Sequence, residues 1–139
     1  MIRVEELNEF QPGVEQLLFP YAAEEFLRAG PLQEKILKES EIARVIYYND
    51  ELLAYVGLVR ENLLNPPILW LLLGKNITRW SARLFRAFTR EMCKVYGTVY
   101  TVIECTHKAG HRFATFCGFK ALGAYVEICG RRFECYEVK

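Results

Sequence analysis

The sequence has 139 residues, of which 52% are hydrophobic and 25% charged, and this size and composition are typical of one globular domain. Its longest uncharged run, residues 62–74, is too short to span a bilayer and contains two prolines, and the acidic N-terminal stretch lacks the apolar core of a signal peptide. We therefore expect a single domain over residues 1–139, without a membrane segment and located in the cytoplasm.

The net charge of +1 hides an asymmetry along the chain. Residues 1–41 carry nine acids against four bases, and residues 42–139 carry eight against fourteen. A polarised surface of this kind affects the choice of partners more than the fold. The five cysteines include no Cys-x-x-Cys pair, so we expect reduced, mostly buried thiols. His107 and His111 are four residues apart, but nothing clearly supplies a third ligand, so no metal is expected.

The N-terminal half predicts a strand, helical structure and a hairpin. Residues 2–7 read as a short strand, and residues 12–30 have apolar side chains at helical spacing with Pro20 interrupting them, which predicts two short helices or one kinked helix. Residues 43–59 contain two β-branched and aromatic runs around Asn49-Asp50, a pair typical of hairpin turns. Residues 63–67 predict a loop, and residues 68–73, apolar at every position, predict a central strand covered on both faces.

The C-terminal half begins with the clearest helix of the sequence, over residues 78–97. Thr78 is suited to cap its start and Gly97 to end it. Its predicted apolar stripe consists of Trp80, Leu84, Phe85, Phe88, Met92, Val95 and Tyr96. A strand over residues 98–105, a shorter helix over 107–117 and a hairpin over 124–138 that turns near Gly130 follow.

These elements fit an α/β fold with one mixed sheet of about six to seven strands flanked by helices. In that arrangement the strands at residues 68–73 and 99–104 are parallel neighbours, and the long helix joins them by a right-handed crossover. The element order, together with Gly118-Phe119 after the short helix, resembles the GNAT superfamily of N-acetyltransferases over the whole chain. The resemblance implies that acetyl-CoA is a possible cofactor.

Residues 74–123 also resemble, more specifically, the GNAT-like internal virion proteins of short-tailed phages. The shared pattern runs from Gly-Lys through a basic amphipathic helix and an aromatic strand to an Arg-Phe before the closing Gly. This second resemblance implies other virion proteins as partners, and the virion or the host cytoplasm as the location.

The loop before the long helix departs from the pattern of active GNAT enzymes. That loop usually reads Gln/Arg-x-x-Gly-x-Gly/Ala, and its glycines let backbone N–H groups approach the pyrophosphate of the cofactor. Residues 75–81 contain no glycine, and Ile77 and Trp80 are bulky where close approach is needed. If acetyl-CoA binds, the residues expected to hold it are Leu73, Gly74, Lys75, Asn76, Thr78 and Arg79. The alternative is a capped helix with a solvated basic first turn, which requires no cofactor.

The catalytic groups of the family are also only partly present. The resemblance implies a tyrosine four residues before Gly118, where its hydroxyl would protonate the departing thiolate, but the sequence has Ala114 there. An asparagine often found seven residues earlier is replaced by His107. Glu104 and His107 are the candidate general bases, although a glutamate at a strand end is more often solvated or paired.

A row of five cations on the long helix is not required by the family pattern. Arg79, Arg83, Arg86, Arg90 and Lys94 are spaced to lie along one helix face, and Glu91 is the one acid among them. A solvated helix face is the simplest explanation. A contact surface for an acidic protein partner is the alternative, because like charges at this spacing repel one another. Nucleic acid has little support without a recognised binding motif.

Three functions are consistent with these residues. The first is a GNAT-fold protein that has lost acyl transfer and acts as a virion-associated, assembly or binding component. The second is an active N-acetyltransferase that transfers acetyl from acetyl-CoA to an amine. The third is an adaptor that binds an acidic partner or nucleic acid through the basic helix face.

Overall fold

The computed structural model describes residues 1–60, 62 and 64–139. Its chain divides into two compact units, Met1–Asn62 with Leu69–Thr78, and Leu63–Ile68 with Arg79–Lys139, and each is described by itself. The expectation of a single domain stays a prediction. Leu63, the first residue of the predicted loop, lies outside the described residues, and residues 64–67 have no regular structure.

The first unit contains β1 (Ile2–Glu6), a 3-10 turn (Val14–Gln16), α1 (Pro20–Ala29), α2 (Leu32–Glu39), β2 (Ser40–Tyr48), β3 (Glu51–Val59) and all but the first residue of β4 (Ile68–Leu73). β1 pairs antiparallel with β2, and β2 pairs antiparallel with β3. The predicted hairpin is confirmed, because Asn49 and Asp50 form its turn at φ values of 48° and 66°. Asn and Asp tolerate this left-handed backbone better than most residues.

The second unit contains α3 (Arg79–Tyr96), β5 (Val99–Glu104), α4 (Lys108–Phe116), β6 (Lys120–Ile128) and β7 (Arg131–Val138). β7 pairs antiparallel with both β5 and β6. The parallel register of β4 and β5 is Ile68 with Tyr100, and the Tyr100 N–H donates to the carbonyl of Pro67 at 2.9 Å. The prediction that these two strands are parallel neighbours is therefore confirmed.

The sheet order is β1-β2-β3-β4-β5-β7-β6, and the described residues contain four α-helices. The predicted α/β class, with one mixed sheet and flanking helices, is confirmed. None of the helices in the described part of the chain is both long and apolar enough to cross a membrane.

An apolar cluster fills the first unit and explains how α1 is placed. Its buried members are Val14, Leu18, Ala22, Phe26, Val45, Leu52, Tyr55 and Leu72. The ring of Phe10 packs edge-on against Phe26 and Tyr55, with centroids 5.0 and 5.3 Å apart. Pro20 is the first residue of α1, where its missing N–H has no cost, so it starts a helix and does not kink one.

Three details of the predictions need correction. The buried face of α3 is formed by Ser81, Phe85, Thr89 and Met92, whereas Trp80 and Val95 from the predicted stripe are 49% and 75% exposed. The predicted central strand β4 is not covered along its whole length, since Ile68 is 41% exposed. The cysteines are not mostly buried: all five are free thiols, but only Cys117 among them is buried, while Cys105 and Cys129 are exposed.

Candidate functional site

The loop after β4 uses its backbone donors inside the first unit. The N–H of Gly74 donates to the carbonyl of Leu53 at 2.7 Å, and that of Lys75 to the carbonyl of Leu17 at 2.9 Å. The N–H of Ile77 donates to the carbonyl of Gly74 at 3.3 Å. A phosphate bound by backbone N–H groups needs those donors to be available. These three are therefore already satisfied by protein carbonyls.

Gly74 is needed for contact with the neighbouring strand. A Cβ atom at this position would lie 2.3 Å from the carbonyl oxygen of Leu52, which is far below any van der Waals distance. Gly74 also forms an antiparallel bridge with Leu18. The missing side chain of Gly74 therefore allows close packing against Leu52 of β3, and this contact accounts for the glycine without a ligand.

The other predicted cofactor residues have mixed surroundings. The carbonyl of Leu73 accepts the N–H of Phe19 at 2.9 Å, and the amide of Asn76 donates to the carboxylate of Glu51 at 3.1 Å. The side chains of Lys75, Thr78 and Arg79 are exposed. Because the N–H groups of Gly74, Lys75 and Ile77 are used and the helix opens with bulky side chains, this loop lacks the glycine-lined backbone approach of the family pattern.

The short helix α4 retains its closing turn. The N–H groups of Gly118 and Phe119 donate to the carbonyls of Thr115 and Ala114, both at 3.0 Å. Gly118 has a φ of 99°, which a residue with a side chain rarely adopts. Ala114, at the position of the expected acid, is 4% exposed and has no polar side chain. Gly118 and Phe119 therefore cap the end of α4 and pack it, and the expected hydroxyl at position 114 is missing.

Glu104, the first candidate base, is paired with an arginine. Its side chain is 6% exposed, and its carboxylate lies 2.5 Å from the guanidinium of Arg131. Burial without a partner would penalise the charged form, and the guanidinium offsets that penalty. The sequence left a solvated or a paired glutamate open at this strand end, and this contact is the paired case.

His107, the second candidate base, precedes α4 and is held against its backbone. A Cβ atom on Gly110 would lie 2.3 Å from the imidazole Cδ2 of His107, so this close approach requires a glycine. Burial lowers the pKa of His107 below 6.5, repulsion from His111 lowers it further, and Glu104 acts in the opposite direction. His107 is consequently a neutral imidazole at neutral pH.

His111 belongs to a polar cluster whose β7 members the sequence analysis did not name. Its Nε2 lies 3.0 Å from the backbone carbonyl of Glu104, which can only accept a hydrogen bond, so Nε2 carries the proton in the neutral ring. Its Nδ1 then accepts from the hydroxyl of Tyr136 at 2.6 Å. The carboxylate of Glu134 is 3.6 Å from the same nitrogen. Burial raises the pKa of Tyr136, with smaller contributions from Glu134, Tyr125 and Cys105, so the phenol keeps its proton.

The structure thus brings together Glu104, His107, His111, Arg131, Glu134 and Tyr136 in the second unit. The sequence signals for the missed members were the His pair at i and i+4 on α4 and the i, i+2 spacing of Glu134 and Tyr136 on β7. No group of three or more His, Cys, Asp or Glu side chains within the described ranges is arranged to hold a metal ion. The cluster has an imidazole and a phenol in direct contact, which are groups that a proton relay can use.

The five cations of α3 are all exposed, as predicted. Lys94 pairs with Glu91 at 2.9 Å, and the guanidinium of Arg86 lies 5.5 Å from the ring centroid of Phe116. Arg79, Arg83 and Arg90 form no ion pair with any described residue. These five residues are called the basic face of α3 below.

Comparisons with known proteins identify the fold. No family model matches the sequence, and no curated protein matches it. Solved structures do match: a Bacillus subtilis acetyltransferase in complex with CoA has a TM-score of 0.72 and 12% identity, over 100% of this chain and 99% of that one. A GNAT family acetyltransferase from Elizabethkingia anophelis with acetyl-CoA bound has a TM-score of 0.70 and 10% identity, over 99% and 97% of the two chains.

A Staphylococcus aureus N-acetyltransferase is similar at a TM-score of 0.69 and 17% identity, over 100% of this chain and 97% of that one. The chain therefore has the GNAT acetyltransferase fold along its whole length. The TM-scores establish the fold, but at identities this low they do not show that this chain has its neighbours' activity.

Proposed function

We propose that this chain is a GNAT-fold protein that no longer transfers acyl groups and serves as a binding component. The observation that carries the proposal is the use of the loop N–H groups of Gly74, Lys75 and Ile77 by protein carbonyls. A pyrophosphate bound by these three donors would first have to displace those hydrogen bonds. Ala114 adds support, because it supplies no acid at the position where the family resemblance implies one.

The basic face of α3 is the contact surface in this proposal. The second unit carries eleven basic and five acidic side chains in its sequence, a net charge of +6. Three arginines of the basic face have no acidic neighbour within ion-pair distance in the described part of the chain, so their charges face solvent. An acidic protein surface fits this face, and the resemblance to internal virion proteins makes another virion protein the partner class. Binding of nucleic acid to the basic face would instead indicate the adaptor function.

Calorimetric titration with acetyl-CoA tests the loss of the cofactor. We expect no binding heat at concentrations up to about 1 mM, the upper end of common Michaelis constants. Micromolar binding that Lys75→Ala or Arg79→Ala weakens, with an unchanged thermal midpoint, would overturn the proposal. Lys35→Ala is the matched control, because it removes an exposed lysine on α2 of the first unit.

Acetyl transfer to an amine is the second candidate function. The observation that favours it is the lowered pKa of His107, which leaves a neutral base beside the buried Glu104. Turnover with acetyl-CoA and a panel of primary amines distinguishes the two candidates. Activity that His107→Gln abolishes while folding is retained would select the enzyme.

A further inference from the structure

The first strand, β1, presents an unbroken edge of the sheet. It is first in the sheet order, so one of its edges has no strand partner among the described residues. All five of its residues are solvent-exposed, and the apolar Ile2 and Val4 have exposed fractions of 41% and 56%. Its register with β2 runs without a bulge, and the strand contains no proline. Such an edge is a template for pairing with another chain, whereas the outer strand β6 is interrupted between Ala121 and Tyr125.

The hydrogen bonds between β1 and β2 determine which backbone groups of β1 point outward. The N–H of Leu7 donates to the carbonyl of Ala43 at 3.1 Å, and the N–H of Asn49 donates to the carbonyl of Met1 at 3.1 Å. Backbone groups alternate in direction along an antiparallel strand, so the residues at positions 3 and 5 also point toward β2. The residues whose N–H and C=O groups point away from β2 are therefore Ile2, Val4 and Glu6.

These outward groups match those of a second copy. We propose that β1 pairs antiparallel with β1 of a second copy of this chain, about a two-fold axis at Val4. Val4 then lies opposite Val4 of the second copy, and Ile2 lies opposite Glu6 of the second copy. Each of these pairs exchanges both of its N–H···O=C hydrogen bonds, so every outward backbone group of β1 gains a partner. One short sequence thus supplies both halves of the interface, as a two-fold dimer requires.

The charges of β1 favour the same register. Arg3 and Glu5 lie two positions apart and therefore on one face of the sheet, and a two-fold axis normal to the sheet keeps that face the same in both copies. Arg3 consequently lies opposite Glu5 of the second copy, in a non-hydrogen-bonded pair, where cross-strand side chains are closest. Within one chain the guanidinium of Arg3 lies 3.1 Å from Glu5 and 2.9 Å from Asp50. A guanidinium has five N–H donors, so it can bind a further carboxylate.

The neighbouring registers are less favourable for both charge and overlap. The nearest registers that keep the outward groups facing each other have the axis at Arg3 or at Glu5. An axis at Arg3 places two arginines opposite each other, and an axis at Glu5 places two glutamates opposite each other, which is destabilising in either case. The first of these shifts also leaves Glu6, and the second leaves Ile2, without a residue of the other β1 opposite it. The axis at Val4 is therefore selected twice.

Charge reversal tests the register by analytical ultracentrifugation. We expect the wild-type chain to dimerise, and Arg3→Glu or Glu5→Arg alone to raise the dimer dissociation constant by about tenfold or more, because like charges then face each other twice. An equimolar mixture of the two variants should dimerise again, since one copy then carries two acids and the other two bases. A merely structural effect of either variant would not be rescued by mixing. A mixture of folded variants that stays monomeric would therefore overturn the proposed register.

Val4→Pro provides a second test, which does not depend on the charges. It removes an outward N–H that β2 does not use, so the chain should fold and the dimer should be lost. Val4→Thr is the matched control, because it keeps the N–H and the β-branched shape, and it should dimerise like the wild type. Far-ultraviolet circular dichroism checks that each variant is folded.

Two results would contradict the dimer itself. One is a wild-type chain that stays monomeric up to about 1 mM, and the other is a dimer that survives Val4→Pro in a folded chain. If Val4→Pro does not fold, the mixture of charge variants still decides. Neither readout involves acetyl-CoA or the basic face of α3, so this proposal and the proposed function can fail separately.

Discussion

Tyr136 and His111 hold each other in place within the polar cluster. The Tyr136 hydroxyl donates to Nδ1 of His111 at 2.6 Å, and the residue is 6% exposed. Tyr136→Phe removes the hydroxyl, so Nδ1 of His111 loses its hydrogen-bond donor. We therefore expect the free energy of unfolding to fall by about 1 kcal/mol. Urea denaturation measures the change. Tyr125→Phe, at a 47% exposed tyrosine, is the matched control and should change the free energy by less than about 0.5 kcal/mol.

His107 makes the stability depend on pH in a direction that its burial determines. Its pKa in the folded chain lies below the value of about 6.5 for an unfolded chain, so the unfolded state binds more protons as the pH falls. Stability contributed by the neutral ring is complete above about pH 6.5 and is lost as the pH falls through the folded pKa. Urea titrations at about pH 7.5 and pH 5.5 should show a smaller loss for His107→Gln than for the wild type. Equal losses would contradict this assignment.

The sequence identified part of the polar cluster and could not identify the rest. Glu104 and His107 were named as candidate bases because both lie beside the cleft that the family resemblance implies. Tyr136 is distant in sequence and reaches His111 only because β7 pairs with β5, with Thr101 opposite Tyr136. Cross-strand register is not encoded by local periodicity. For the same reason, the sequence left a solvated or paired Glu104 open and could not identify Arg131 as its partner.

Among the helices, α3 carries the charge that the proposed binding function requires. Replacing Arg83, Arg86 and Arg90 with Gln should leave a folded domain and change the free energy of unfolding by less than about 1 kcal/mol, because exposed charges contribute weakly. If the basic face is the contact surface, the same variant should lose its acidic protein partner in an affinity pull-down.

The matched control for the α3 variant removes three exposed lysines from the first unit: Lys35, Lys38 and Lys75. This control should keep the partner. A partner retained by the α3 variant would exclude the basic face, and binding of nucleic acid in place of a protein would select the adaptor function.

Long elements were predicted better than short or irregular ones. The bounds of α3 and β5 differ from the prediction by one residue at each end, because long amphipathic or β-branched runs give a strong periodic signal. α2 was not predicted, since its eight residues make only about two turns. β6 begins at Lys120, four residues before the predicted start, because the bulge at residues 122–124 interrupts the alternation of a strand.

For the chain as a whole, charge is divided between the two compact units. The first carries seven bases and twelve acids in its sequence, a net charge of −5, against +6 for the second. Charged contacts at the surface are screened over roughly 8 Å at physiological ionic strength. A complex made through the basic face should therefore weaken between about 50 mM and 500 mM salt, as measured by surface plasmon resonance. An affinity that is unchanged by salt would place the contact on apolar side chains.

The alkylation rate of the one buried cysteine, Cys117, is a measure of local opening in the second unit. Cys117 is 4% exposed at the end of α4, and burial raises the pKa of its thiol to about 11 against a smaller opposing effect of Arg86. Alkylating reagents react with the thiolate, so the folded chain protects this sulfur in two ways: burial keeps the reagent away, and the raised pKa keeps the thiol protonated. Cys105 and Cys129 are exposed and should react first. The slow alkylation of Cys117 that follows would report how often α4 separates from its surroundings under native conditions.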